Sequence, residues 1–145
     1  MSTHSNYTHH IRKGFTLLEI IVVVMIIAVL ATMILPRMLT YVGSAKHTTA
    51  KTSCDTIAQQ ILVYHMQSGL SEVPDGFDLE LLLVAPEDGG APGGPFLTKA
   101  DAIIDPWGRP FEVLAPGEVN YDFDVISWGE DGEPGGEGVN EDITQ

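Results

Sequence analysis

The apolar run from Phe15 to Leu35 constrains this chain more than any other feature. Across that span only Thr16, Glu19 and Thr32 are not apolar. As a helix it is about 31 Å long at a rise of 1.5 Å per residue, which matches the hydrocarbon thickness of a bilayer. A chain of 145 residues has too little left over to surround an all-apolar cylinder of that length, so a membrane segment is favoured over a buried core helix. A secretory signal is the other alternative. Small residues at Ala28 and Ala31 mimic a cleavage region, but Met33, Ile34 and Leu35 prolong the run past a usual signal length. Flanking charge does not orient the segment, because Arg12 and Lys13 precede it while Arg37, Lys46 and Lys51 follow.

Pro36 closes the apolar run, and a proline either ends a helix or kinks it. From Arg37 to Ser68 there is no further proline. Met38, Leu39, Val42 and Ala45, then Cys54, Ile57, Ala58, Ile61, Leu62 and His65, recur at spacings of three and four, which is one apolar stripe on a helix. The simplest reading is one helix from Phe15 to about Ser68, bent at Pro36, roughly 80 Å long if continuous, with Gly69 as its stop. Only its second half needs a soluble domain to cover it.

The net charge is −13, from 20 acids against 7 bases. Such a balance repels nucleic acid and anionic headgroups and favours cations. The single cysteine, Cys54, excludes an intramolecular disulfide and a cysteine-based zinc site. His47, Cys54 and His65 share nearly one helix face but lie about 10 and 16 Å apart along it. They read as core packing rather than as a nucleophile and its base.

Beyond Leu70 the helical period fades. Asp78 to Pro86 supplies one or two helical turns, and Glu87 to Pro95 is a loop. Its glycines do not make a phosphate cradle, because no Gly-Lys-Ser/Thr follows. Asp105 to Leu114 reads as a turn and then a strand. A second strand is predicted over Asn120 to Ser127, where Asp122 and Asp124 alternate with Tyr121, Phe123 and Val125. Two strands packed on the amphipathic half of the helix make a small α+β domain, and a third strand is allowed but has no assigned position. The tail from Trp128 to Gln145 concentrates Glu130, Asp131, Glu133, Glu137, Glu141 and Asp142 among five glycines. Composition allows a disordered acidic tail. It also allows a loop whose carboxylates and carbonyls converge on calcium, though not as an EF-hand.

Lys13-Gly14-Phe15-Thr16-Leu17-Leu18-Glu19 resembles the prepilin-type cleavage site of type IV pilins and pseudopilins, and Pro36 stands where that superfamily bends its long helix. Asp105-Pro106-Trp107-Gly108, Ser127, Gly129, Asp131-Gly132 and Asp142-Ile143 are similar to the major pseudopilins of type II secretion systems. The resemblance runs from Lys13 to Ile143. It implies a type IV pilin-like fold, with the long helix packed on a small antiparallel sheet, and a non-enzymatic filament subunit.

The resemblance also implies four segments: a leader at 1–14, a membrane and filament-core helix at 15–35, an amphipathic helix at 36–68 and a periplasmic part at 69–145. A prepilin peptidase would cut between Gly14 and Phe15 and methylate the Phe15 amine. Loss of residues 1–14, which carry Arg12 and Lys13 and no acid, takes the net charge of −13 to −15. The subunit would sit in the bacterial inner membrane with its N-terminus cytoplasmic, then polymerise with copies of itself. Minor pseudopilins and an inner-membrane assembly platform are the other implied partners, and nucleic acid is not one. Family likeness carries a structural calcium site onto the side chains of Asp131, Glu141 and Asp142 and the backbone oxygens of Trp128 and Val139. Glu141 replaces an aspartate of some relatives, and Trp128 a leucine.

Within this resemblance Glu19 acquires a role. A carboxylate in the bilayer costs several kcal/mol unless paired. Cleavage creates a cation at Phe15 that a neighbouring subunit's Glu19 can meet, which would set the filament's axial register. The competing functions are a type IV pilin, a minor pseudopilin, and a membrane-anchored periplasmic calcium-binding adaptor that never polymerises. Type IV pilins commonly close a C-terminal loop with two cysteines, and this chain has one.

Overall fold

The computed structural model describes residues 14–145, without the side chains of Pro36, Arg37, Leu39 and Thr40. Arg12, Lys13 and the other residues before Gly14, where a leader is expected, lie outside the described residues. The chain divides into a unit ending at Leu39 and a second unit, Thr40–Gln145.

One helix, α1, runs Leu17–Ser68 and contributes to both units. In the first unit Leu17–Leu35 has a mean hydropathy of 3.0 with none of it buried. It is long and apolar enough to cross a membrane. Pro36 does not end the helix. Losing one N–H there removes a single ladder bond, and the strong helix formers Met33, Leu35, Arg37, Met38 and Leu39 on either side carry the helix through.

In the second unit α1 buries Gly43, Ala50, Cys54, Ile57, Ala58, Ile61 and His65. The stripe predicted from Cys54 to His65 is therefore present, save that Leu62 is half exposed, but its expected first part is not: Met38, Val42 and Ala45 are exposed. Small residues decide this. Gly43 and Ala50 let the rest of the domain approach the helix axis, whereas the bulkier Val42 stands outside that contact. The helix ends as expected: Gly69 takes φ 69°, and Leu70 N donates to His65 O at 3.1 Å, the six-to-one bond that closes a helix with a left-handed glycine.

Short 3-10 turns at Leu79–Leu83, Pro86–Asp88 and Ala100–Ile103 follow. Leu79, Leu82 and Leu97 go into the core. Three short strands then form an antiparallel sheet in the order β1 (Glu112–Leu114), β2 (Asp124–Ser127), β3 (Ile143–Thr144). Val113 pairs with Val125, and Ser127 with Ile143. Phe77, Phe111, Val113, Phe123, Val125 and Ile143 close over Ile57 and Ile61 in one core.

Two expectations change here. The second strand is shorter than predicted, and Tyr121, expected to point inward, is 95% exposed. Residues 118–122 bend instead, because Asp124 gathers the amides of Glu118, Val119 and Asn120 at 2.6, 2.8 and 2.9 Å. All four β2 residues are buried, since β2 is the central strand and its polar side chains are consumed internally. The third strand comes from the acidic tail, which is thereby anchored: Ile143 is 2% exposed.

Candidate functional site

Each unit holds one part of the expected chemistry. At the start of α1, Gly14 and Phe15 precede the helix and are exposed. The Thr16 hydroxyl accepts Glu19 N at 3.2 Å, and Thr16 O accepts Glu19 N at 3.1 Å and Ile20 N at 3.3 Å. Thr16-Leu17-Leu18-Glu19 thus has the T-x-x-E spacing of a capping box, with Thr16 as N-cap and Glu19 at the third helical position. A carboxylate in the first turn also faces the positive end of the helix dipole. Thr16 was missed from the sequence although this spacing is written there. Glu19 does not interrupt the middle of the apolar helix. It sits at its N-terminal edge, in the same turn as the cap.

The second part is the loop between β2 and β3. Its first arm, Trp128 to Gly132, leaves β2 in a tight turn where Gly132 N donates to Trp128 O at 3.0 Å. Its second arm contains a 3-10 turn at Gly138–Asn140. One backbone bond, Glu130 N to Val139 O at 2.9 Å, joins the arms. Asp131 Oδ1 accepts Glu133 N at 3.2 Å and Asp142 Oδ2 accepts Gly135 N at 2.8 Å. Asp142 Oδ1 is buried without a partner. Glu141 is turned toward α1, its Oε2 3.9 Å from His47 Nε2. Among the described residues, no three His, Cys, Asp or Glu side chains are grouped closely enough to hold a metal ion.

The loop is built from beneath by the Asp105-Pro106-Trp107-Gly108 turn. Asp105 is 5% exposed. Its Oδ1 accepts Trp107 N and Arg109 N, both at 2.9 Å, and its Oδ2 accepts the Ser127 hydroxyl at 2.7 Å. One carboxylate thus ties the turn to the end of β2, where the loop begins. From that turn Arg109 Nη2 donates to Gly129 O. Lys51 of α1 donates to Thr144 O at 2.5 Å. Neither cation was singled out in the sequence, since both contacts are to backbone oxygens and no charge pattern announces them.

His47, Cys54 and His65 do not meet. His47 lies beside Glu141, while His65 Nδ1 is 2.9 Å from Ile61 O. Cys54 points its thiol at Ile143 O at 3.6 Å. Burial, with Asp55 nearby, pushes that thiol up to about 12. A thiol so protonated is a packing group. In Asp124, burial raises the carboxyl but the bonds from Val119, Asn120 and Glu118 together outweigh it, so the group lies below its ordinary value.

Residues 37–145 match the family described as "Type II secretion system (T2SS), protein G", and residues 10–35 match the "Prokaryotic N-terminal methylation motif". Among similar curated proteins, the type II secretion system core protein G of Pseudomonas aeruginosa is 35% identical, over 91% of this chain and 93% of its own. That of Xanthomonas campestris pv. campestris is 36% identical, over 91% and 88%. That of Vibrio cholerae is 32% identical, over 91% and 90%. These matches select the major pseudopilin over the type IV pilin, the minor pseudopilin and the adaptor. With the family matched across its globular part and the methylation motif matched before it, the chain belongs to the type II secretion system protein G family, the major pseudopilins, which are structural subunits of the secretion pseudopilus.

Proposed function

We propose that a prepilin peptidase cuts this chain between Gly14 and Phe15 and methylates the new amine of Phe15. The exposure of both residues ahead of α1 and the methylation-motif match support this reading. Residues 1–14 are then leader, 15–35 the membrane and filament-core helix, 36–68 the amphipathic helix and 69–145 the periplasmic part. The subunit is held in the inner membrane with its N-terminus cytoplasmic. Minor pseudopilins and an inner-membrane platform draw it into a filament of its own copies, which drives folded proteins across the outer membrane. Pro36, which withdraws one donor from α1, is the point where the helix bends in the assembled state.

The position of Glu19 carries the assembly reading. It stands four residues after Phe15, in the first turn of α1. Once the leader is gone, each subunit offers a cation and an anion at one end of an apolar helix. A subunit offset along the axis joins its Glu19 to a neighbour's Phe15 amine, and head-to-tail contacts that do not close make a helical filament. Burying the pair rather than a lone carboxylate lowers the cost and sets the register. Glu19→Ala is expected to leave processing intact, with a mature mass starting at Phe15 plus one methyl group, and to abolish filaments. Filaments of normal length from that variant would overturn the register role.

Calcium in the acidic loop is the second element of the proposal. Asp131, Glu141 and Asp142 would give side-chain oxygens, and Trp128 and Val139 backbone ones. The unpartnered Asp142 Oδ1 supports it. So do the Trp128 and Val139 carbonyls, each of which retains a lone pair after accepting one backbone bond. When bound, the ion neutralises carboxylates and adds its binding free energy to folding. Glu141, beside His47, is the ligand that would have to turn.

A further inference from the structure

We propose that Arg109 is the positioning residue of the acidic loop: its guanidinium holds the first arm in a cation-ready shape before any ion arrives. The inference rests on the calcium reading for its consequence but not for its geometry.

Arg109 is fixed at both ends. Its backbone is clamped by Asp105, whose carboxylate accepts Arg109 N at 2.9 Å and whose own N donates to Arg109 O at 2.7 Å. Its side chain reaches Gly129 and Gly132 of the loop. A Cβ on Gly132 would stand only 2.9 Å from Arg109 Nε and 3.0 Å from Cζ, so the glycine is what admits the guanidinium. Nη2 donates to Gly129 O, and Nε is buried without a hydrogen-bond partner. Gly129 and Gly132 bracket the turn in which Gly132 N closes on Trp128 O. That turn carries two of the proposed ligands, the Trp128 carbonyl and Asp131. An arginine donates in a fixed planar fork, so it orients the turn in a way that a solvated lysine would not. It also places a permanent positive charge at the base of an acidic loop, where it offsets repulsion among the carboxylates.

The test compares the wild-type, Arg109→Gln and Arg109→Lys full chains in detergent. Amide exchange is followed in chelator, and calcium affinity by titration with calcium chloride. In chelator, wild-type amides of Glu130 and Gly132 are expected to be protected. Arg109→Gln speeds their exchange about ten-fold, the scale of one charge-assisted hydrogen bond, while Val113 and Val125 in the sheet do not change. Calcium affinity falls by a similar factor, and Arg109→Lys recovers part of both. Unchanged loop exchange in Arg109→Gln overturns the proposal. So does loss of protection throughout the sheet in both variants, which would make Arg109 a general fold residue. If the wild type binds no calcium yet Arg109→Gln still loosens only the loop, the calcium reading fails and the positioning role stands.

Discussion

Val139 of the acidic loop sits against Gly43 of α1: a Cβ built on Gly43 would lie 2.5 Å from Val139 Cγ1. A helix-interior glycine costs about 0.5–1 kcal/mol relative to alanine, so this one is retained against local propensity to receive the loop. Gly43→Ala returns that propensity while pushing Val139 aside, and is expected to change stability little. Gly43→Leu cannot be absorbed and is expected to cost about 1–3 kcal/mol. Thermal unfolding of the full chain, with proteolytic cleavage mapped over 128–142, checks this. An unchanged melt and an uncut loop in Gly43→Leu would show that Val139 is not seated there.

Asp124 makes a pH-dependent contribution. Its carboxyl lies below its ordinary value in the fold, so the unfolded state binds more protons as pH falls and stability drops with it. The contribution is complete above the unfolded value of about 3.9 and is lost as pH falls through the lower folded value. Asp124→Asn is expected to lower stability at neutral pH by about 1.5–3 kcal/mol, the scale of hydrogen bonds to a charged group. It should also flatten the acid side of a melting-temperature profile. A parallel, merely shifted profile would exclude Asp124 as a source of acid sensitivity.

Asp105 and Ser127 test how the turn supports the loop. Asp105→Ala leaves the Trp107 and Arg109 amides and the Ser127 hydroxyl without their acceptor. At about 1–3 kcal/mol for each buried unsatisfied group, the variant is expected to fail to accumulate. Ser127→Ala removes one bond to the same carboxylate and should cost about 1.5–3 kcal/mol, less than the loss of all three. Steady-state levels and melting curves distinguish them, and equal effects would deny Asp105 its role as the common acceptor.

Cys54 offers a readout of global opening. Buried, with its thiol pushed up to about 12, it should resist alkylation by iodoacetamide at pH 8 in the folded chain and react at the rate of a free thiol in denaturant. Rapid labelling of the folded protein would mean that the contact with Ile143 O opens readily.

Chelation tests the calcium proposal as a whole. Removing calcium from the full chain is expected to lower its melting temperature, and adding calcium chloride to restore it in a concentration-dependent way. A melt indifferent to both would leave the loop held by its contacts within the chain, those of Arg109, Val139 and Lys51 among them.

Much of this protein was legible along the chain. The apolar run, the stripe from Cys54 to His65 and the stop at Gly69 are local patterns, and helix formation reads local patterns directly. The family motifs at both ends are likewise local. What the tertiary structure alone decided lies in contacts between distant residues: which of the smaller α1 residues face the domain, that Asp124 turns inward and shortens β2, that the acidic tail supplies a third strand, and that Arg109 holds a carbonyl twenty positions away. Backbone carbonyls and glycine gaps carry those contacts, and neither leaves a periodic or charge signal in the sequence. The acids of the tail could be counted in advance. Which of their oxygens would be left without a partner depended on how the loop folded over the helix and the turn beneath it.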